Sequence, residues 1–388
     1  MTTRTRPPWA VWHRRPRGTP SVVFVDDSHW VAFTQLSPLL RRKGVRTIRV
    51  TTEVRIASRL VSSLLFDRHA VVPPGNLVET LRKVLGSENV VDVQFVEALS
   101  ASIGDALGSM GCGIVHGVEV RLAAMDKISL SRRLDASGIR VPAILPMPGV
   151  SPETVARILG FPVVLKARVG SSGDQIRIVH DLPALHRVAA TWGEHPERYF
   201  CEQYVDGEKY NYGAAVGECG IEQELTYWVS AWRQPTGSAS QIETVADGQL
   251  AALGRRALEV VGCTGLVNID VIRDREGVDW LIDFNARAFG GAASFLCAGL
   301  DISEGYLRAI GQSQSPPARR SPPAGVPIRI FPTCLGEVIA DGSMSRTAEA
   351  FWRESKRYLR WLGLRYWLVE ALVTAYAAAK AARESRAS

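Results

Sequence analysis

The chain has 388 residues, a hydrophobic fraction of 46%, a charged fraction of 22% and a net charge of +7, the composition of an ordinary globular protein with room for two or three domains rather than of a disordered or fibrous chain. The positive excess sits at the ends, at Arg4, Arg6, Arg14, Arg15 and Arg17 in front and Arg353, Lys356, Arg357, Arg360 and Arg365 behind. The middle is left near neutral, which argues against a nucleic-acid-binding surface. Six cysteines are scattered without a C-x-x-C pair, which argues against a zinc site or a disulfide framework and fits a reducing cytoplasm. No apolar segment with a cleavage site follows the arginine-bearing start, so no secretory signal is expected.

Residues 1–20 are rich in Pro and Arg and read as irregular. Ser21–Asp26 is a short apolar run with the character of a buried strand. A helical stretch over Thr34–Lys43, a strand over Thr47–Val50 and another at Ala70–Val72 follow. This β-α-β opening predicts a Rossmann-like first domain, and the absence of G-x-G-x-x-G leaves dinucleotide binding without support. Met125–Pro142 predicts a helix with Ile128, Leu130 and Leu134 on its apolar face and Gly138 as its stop. In Phe161–Val179, a strand Pro162–Leu165 carries Lys166 at its end, Gly170-Ser171-Ser172-Gly173 forms a flexible turn, and Ile176–Val179 returns. Backbone N–H groups and hydroxyls in such a turn can meet phosphate oxygens, with Lys166 adding a point charge; a plain hairpin loop is the other reading. Trp232–Thr244, between a Tyr227–Ala231 strand and an Asp247–Val261 helix, reads either as a loop closing over a ligand or as an ordinary connection.

Gly265–Gly291 is the most informative stretch. Leu266–Ile272 is a strand, Asp274–Gly277 a turn and Trp280–Phe284 the returning strand. Asp283 and Asn285, at i and i+2, face one side, and antiparallel pairing can bring Asp270 opposite them. Such a cluster of oxygen ligands suits Mg²⁺, which keeps company with phosphates. A surface hairpin with acids in water is the bland reading. Against it, Ile269, Val271, Leu281, Ile282 and Phe284 would bury the acids, and buried carboxylates need partners or a metal. Arg287 lies two residues on with the same parity, as in a site for nucleotide phosphates. Further along, Asp301–Gly311 predicts a helix, Ser313–Gly325 a surface loop, and Val326–Phe331 a strand. Arg346–Ala382 is helical, basic and tryptophan-bearing. It reads as a surface for an anionic membrane or a partner, or as a helix packed on its own domain or in a dimer. Arg365 and Glu370 interrupt its apolar run, so it is not expected to span a bilayer.

The strand–turn–strand ending in [DE]-x-N-x-R-x-x-G-G resembles the metal end of the ATP-grasp family of carboxylate ligases, and the resemblance covers residues 120–300 well. It implies ATP and Mg²⁺ or Mn²⁺ as cofactors, with Asp270, Asp283 and Asn285 holding the metal and Arg287 meeting the transferring phosphoryl group. Lys127 and Lys166 match the two ATP-contacting lysines, Lys166 and Arg287 being catalytic, and Gly170, Ser171, Ser172 and Gly173 match the phosphate-covering loop. Tyr199–Val216 matches the hinge, where Glu202 and the backbone of Tyr204 and Val205 would face adenine. The family then has G-x-E for the ribose, whereas this chain has Gly207-Glu208-Lys209. Glu208 reaching in by a local shift is the favoured outcome, with Lys209 meeting the ribose, or loss of that contact, as alternatives.

The expected architecture is α/β (α+β): an irregular segment 1–20, a Rossmann-like domain 21–115, a two-lobed ATP-grasp fold 116–312 with its small lobe at about 140–203, a loop and final strand 313–345, and a basic amphipathic C-terminal helix 346–388. The expected activity is ligation of a carboxylate to an amine, with amino-acid-like substrates, through an acylphosphate with release of ADP and phosphate. The rival is a catalytically weak ATP-binding protein acting through its basic C-terminal helix at a membrane or partner. Expected partners are small-molecule carboxylates and amines and no nucleic acid; a homodimer is common in the resembled family. The expected location is cytoplasmic.

Overall fold

The computed structural model describes residues 11–12, 18–28, 30–53, 56–108, 117–170, 176–191, 195–232, 238–341 and 343–387. The first unit alternates strands β1 (Val11–Trp12) and β2 (Ser21–Asp26), helix α1 (Val31–Arg42), β3 (Arg46–Thr51), α2 (Ile56–Leu65), β4 (Arg68–Val71), α3 (Leu77–Ser87), β5 (Val90–Phe95) and α4 (Ser100–Gly108). Its sheet runs β1-β4-β3-β2-β5, parallel except for β1. Every residue of β2 is buried, as a parallel strand covered on both faces requires, and this is why SVVFVD is a continuous apolar run rather than an alternating one.

Helices α5 (Val118–Ala124) and α6 (Lys127–Ala136) lead into a small antiparallel sheet. It is made from β6 (Ile144–Pro146), α7 (Pro152–Leu159), β7 (Val163–Ala167), β8 (Ile176–Val179), α8 (Leu182–Thr191) and β9 (Tyr199–Gln203), in the order β6-β9-β7-β8. Val163 and Leu165 join Val155 and Leu185 in a core of its own, so Val164 and Lys166, of the other parity, face away from those helices.

The central sheet holds β10 (Gly207–Gly217), β11 (Gly220–Trp232), β12 (Ala239–Thr244), β13 (Gly265–Asp274), β14 (Asp279–Asn285) and β15 (Pro327–Arg329), ordered β14-β13-β10-β11-β12-β15 and antiparallel throughout. Helix α9 (Gly248–Val261) crosses β10 with Gly254 against the Tyr212 ring, where a Cβ would fall 2.3 Å from a ring carbon. The other face of the sheet shares one apolar cluster with α1 and with the helices that end the chain, Phe24, Phe33, Leu225, Phe295 and Tyr358 among them.

Those last helices are α10 (Ile302–Ala309), α11 (Gly336–Ala340), α12 (Met344–Leu362) and α13 (Leu364–Ala387). The single C-terminal helix expected over 346–388 is therefore two. Gly363 adopts φ +88°, ψ 171°, a conformation that stops α12, and α13 folds back on α12 and against α2. Among the described residues no helix is long and apolar enough to cross a membrane.

Candidate active site

A cleft of about 790 Å³ opens between the small sheet and the central sheet, and one end is closed by the start of α1. Its inner slot is apolar, with Val164, Ile176 and Ile178 on one side and Ile272 and Ile282 on the other, and the Gln203–Val205 linker forms its edge. A flat apolar slot beside a backbone linker can sandwich a planar ring and hydrogen-bond its rim.

The polar end is built by strand parity. Asp270 pairs in register with Asp283 across the β13–β14 hairpin, and Asn268 with Asn285, so all four project into the cleft. Asp270 Oδ1 accepts from Asn268 Nδ2 at 2.9 Å and from Asn211, while its Oδ2 lies 2.8 Å from Lys209 Nζ. Tyr227 steadies Asn268 by donating its hydroxyl to Oδ1 at 2.7 Å. Asp283 meets the ammonium of Lys127, the first residue of α6, whose preceding Asp126 caps the helix. Strand pairing places the groups of β10, β11, β13 and β14, and the start of α6 brings Lys127 to them.

Lys166, buried at the end of β7, lies 2.5 Å from Glu202 and donates to the Ile282 carbonyl at 3.0 Å. Arg287 donates Nε to Glu97 at 2.6 Å and Nη2 to Asn285 Oδ1 at 3.0 Å, and its guanidinium lies 4.7 Å from the centre of the Trp30 ring. Glu97 and Trp30 come from the first unit, so the arginine is held by residues far before it in the chain.

Burial raises the Asp283 carboxyl, but the charges of Lys127, Lys166 and Arg287 outweigh it and hold the group at about 2. Burial opposes the Lys127 ammonium in the same way, and Asp283 nevertheless keeps its pKa above the ordinary lysine value. Glu202 goes the other way: burial raises its pKa and Lys166 only partly offsets this. In this arrangement the four cations Lys127, Lys166, Lys209 and Arg287 each face a carboxylate, Asp283, Glu202, Asp270 and Glu97 respectively. An entering polyphosphate would compete for the cations and leave acids needing a positive partner. Carboxylate and amide oxygens are the donor set that Mg²⁺ or Mn²⁺ prefers, and the buried Asn211 Oδ1 still lacks a hydrogen-bond partner beside them. The residues present fit such an ion.

The structure thus brings Lys127, Lys166, Gly170, Glu202, Tyr204, Val205, Asp270, Asp283, Asn285 and Arg287 to one cleft. Ser171, Ser172 and Gly173 lie outside the described residues. Glu208 is a correction. On β10 the cleft-facing residues are Gly207, Lys209 and Asn211, and Glu208 points out to accept a hydrogen bond from Tyr210 at 3.1 Å, so Lys209 stands where the acid was expected. Glu202 also differs in detail, because its carboxylate is turned to Lys166. Sequence reasoning missed Asn268 and Asn211, although Asn268 precedes Asp270 by two residues and shares its parity. It missed Trp30 and Glu97 because nothing local marks them.

Residues 124–291 match the family described as the ATP-grasp domain. A D-alanine–D-alanine ligase of Stutzerimonas stutzeri is 27% identical over 187 residues, covering 44% of this chain and 57% of that ligase. One from Gloeobacter violaceus is 29% identical over 216 residues, covering 51% of this chain and 72% of its own length. The match thus spans a little over half of the first of these relatives. Among solved structures, an N5-carboxyaminoimidazole synthase of Aspergillus clavatus in complex with ADP and an aminoimidazole ribonucleotide superposes with a TM-score of 0.61 at 13% identity, over 78% of this chain and 79% of that one. At that identity the likeness is one of fold.

Proposed function

From the premise that this chain carries an ATP-grasp domain, we propose that it is an ATP-dependent ligase that joins a carboxylate to an amine, with amino-acid-like substrates, through an acylphosphate. The observation that carries the reading is the convergence, at the polar end of an apolar slot, of Lys127, Lys166, Arg287, Asp270, Asp283 and Asn285. A carboxylate is a poor electrophile, and phosphorylation by ATP makes it a good one. The chain's task is then to position anions and balance charge, not to form a covalent bond with substrate.

In this reading Ile178, Val164 and Ile282 hold the adenine, and the Tyr204–Val205 backbone reads its edge. Lys127 and Lys166 leave their carboxylates to neutralise the phosphate chain. Asp283, Asn285 and Asp270 would hold Mg²⁺ or Mn²⁺, whose positive charge would offset that of the phosphates. Arg287, aimed by Glu97 and Trp30, stabilises the transferring phosphoryl group. The first unit, which closes the far end with Ser28 and Trp30, supports a place for the carboxylate and amine near that arginine. The names of the two ligases matched in sequence support amino acids as the substrate class.

The test is release of ADP and phosphate by the full chain with Mg-ATP across pools of amino acids and small carboxylic acids, followed by trapping with hydroxylamine. The expected result is a pool that raises ADP release and gives an acyl-hydroxamate, with Asp283→Ala plus Asn285→Ala lowering turnover by at least about a hundredfold. ATP binding with no turnover in any pool would overturn the ligase reading. Turnover that survives the double substitution would overturn the metal assignment.

A further inference from the structure

Helix α13 buries one face and leaves the other in solvent. Tyr366, Val369 and Ala378 are buried, with Tyr366 taking a hydrogen bond from Gln35 at 3.0 Å. Opposite them Leu364, Leu368, Leu372 and Tyr376 repeat every four residues and are 60%, 42%, 54% and 70% exposed. One residue per turn with this spacing forms a single ridge along the helix. Trp352 of α12, 54% exposed, meets Trp367 edge-on at 5.8 Å and extends the apolar surface onto the neighbouring helix. A patch of this kind on a folded surface marks an interaction site.

The exposed charges around it are mostly positive. From Ala350 to Arg383 there are seven cations, Arg353, Lys356, Arg357, Arg360, Arg365, Lys380 and Arg383, against two acids, Glu354 and Glu370. Glu370 is fully buried, and Glu354 is engaged by Arg329 at 3.3 Å and Arg353 at 3.0 Å. The exposed acid of α12, Glu349, lies between Arg346 and Arg353 on the same helix. Lys356 sits 5.6 Å from the centre of the Trp352 ring, so a cation accompanies the outermost aromatic. We propose that the α12–α13 face docks on an anionic lipid bilayer, with the leucine ridge and Trp352 entering the headgroup boundary and the surrounding Lys and Arg meeting lipid phosphates.

Two features select a bilayer over another protein. A row of exposed side chains along one helix needs no complementary groove to enter a fluid lipid boundary, whereas a folded partner must be shaped to receive it. A second copy meeting this face across a two-fold axis would bring cations against cations. Tryptophan at the rim and long basic side chains around an apolar stripe suit the layered polarity of a membrane surface.

The experiment is co-sedimentation of the full-length protein with phosphatidylcholine vesicles and with vesicles containing about one-third phosphatidylglycerol, at low and high salt. Sedimentation velocity without lipid runs alongside. The expected result is retention on the anionic vesicles at least about tenfold above neutral ones, weakened by salt. Leu368→Glu with Leu372→Glu, and separately Lys356→Gln with Arg360→Gln and Arg365→Gln, should each reduce retention by about tenfold while circular dichroism and melting stay as in the parent. Equal or absent retention on the two vesicle types overturns the proposal, as does retention untouched by the leucine substitutions. A dimer that those substitutions dissolve, with no vesicle binding, would assign the face to a second copy instead.

Discussion

Three cations, Lys127, Lys166 and Arg287, act on the Asp283 carboxyl. It is held at about 2 against an ordinary value of 3.8, because together they outweigh the burial that opposes them. A carboxyl with a lower pKa in the folded state stabilises the fold above its unfolded value, and loses that contribution as pH falls through the folded one. Between pH about 4 and about 2 the chain should therefore lose stability steeply. Asp283→Asn should flatten that segment in urea titrations taken across it, and an unchanged slope would refute the assignment. Lys209 invites the opposite measurement. Its ammonium, 2.8 Å from Asp270, competes with any cation for that carboxylate. Lys209→Ala should tighten Mn²⁺ binding in the absence of nucleotide by about tenfold, near 1.4 kcal/mol, while weakening ATP binding. Calorimetry with each ligand separates the two effects.

At the scale of elements, two glycines decide how helices meet their neighbours. Gly254 lets α9 lie directly on the Tyr212 ring, and a methyl group there would displace the helix from β10. Gly363 holds a backbone conformation that other residues avoid, and it lets α13 fold back on α12. Gly254→Ala and Gly363→Ala should each cost about 1–3 kcal/mol in chemical denaturation, the first by overpacking and the second by strain. The second should also disturb the exposed ridge of α13. Strand parity was legible in the chain. Alternation along Leu266–Ile272 and Trp280–Phe284 was enough to put Asp283 and Asn285 on one side. Parity on β10 could not be anchored in that way, since Gly207-Glu208-Lys209 offers a polar residue for either face. Pairing with β13, which sets Asn211 opposite Asp270, turns Lys209 inward and Glu208 out.

For the molecule as a whole, the packing is uneven. The first sheet and the central sheet share one apolar cluster that runs from Phe24 to Tyr358, and Arg287 to Glu97, Ala288 to Gln94 and Tyr306 to Asp92 cross between the first unit and the rest as hydrogen bonds. The small sheet has its own separate core around Val163, Leu165 and Leu185. The small sheet should therefore open more readily than the body. Hydrogen exchange should be faster in β6–β9 than in β2, β3 and β10, and should slow there when Mg-ADP bridges the cleft. Uniform protection across both would contradict this division.

What the chain determined by itself was local: apolar runs and alternation that place strands, a lysine at a strand end, an acid, an amide and an arginine spaced two apart. These follow from side-chain periodicity, which needs no knowledge of partners. What only the tertiary structure decided was non-local. Trp30 and Glu97 lie 257 and 190 residues before Arg287, yet they aim its guanidinium. The break at Gly363 turns one basic helix into a hairpin with a buried and an exposed face. Such choices depend on which distant surfaces pack together, and the free energy that selects them is stored in contacts between segments far apart along the chain.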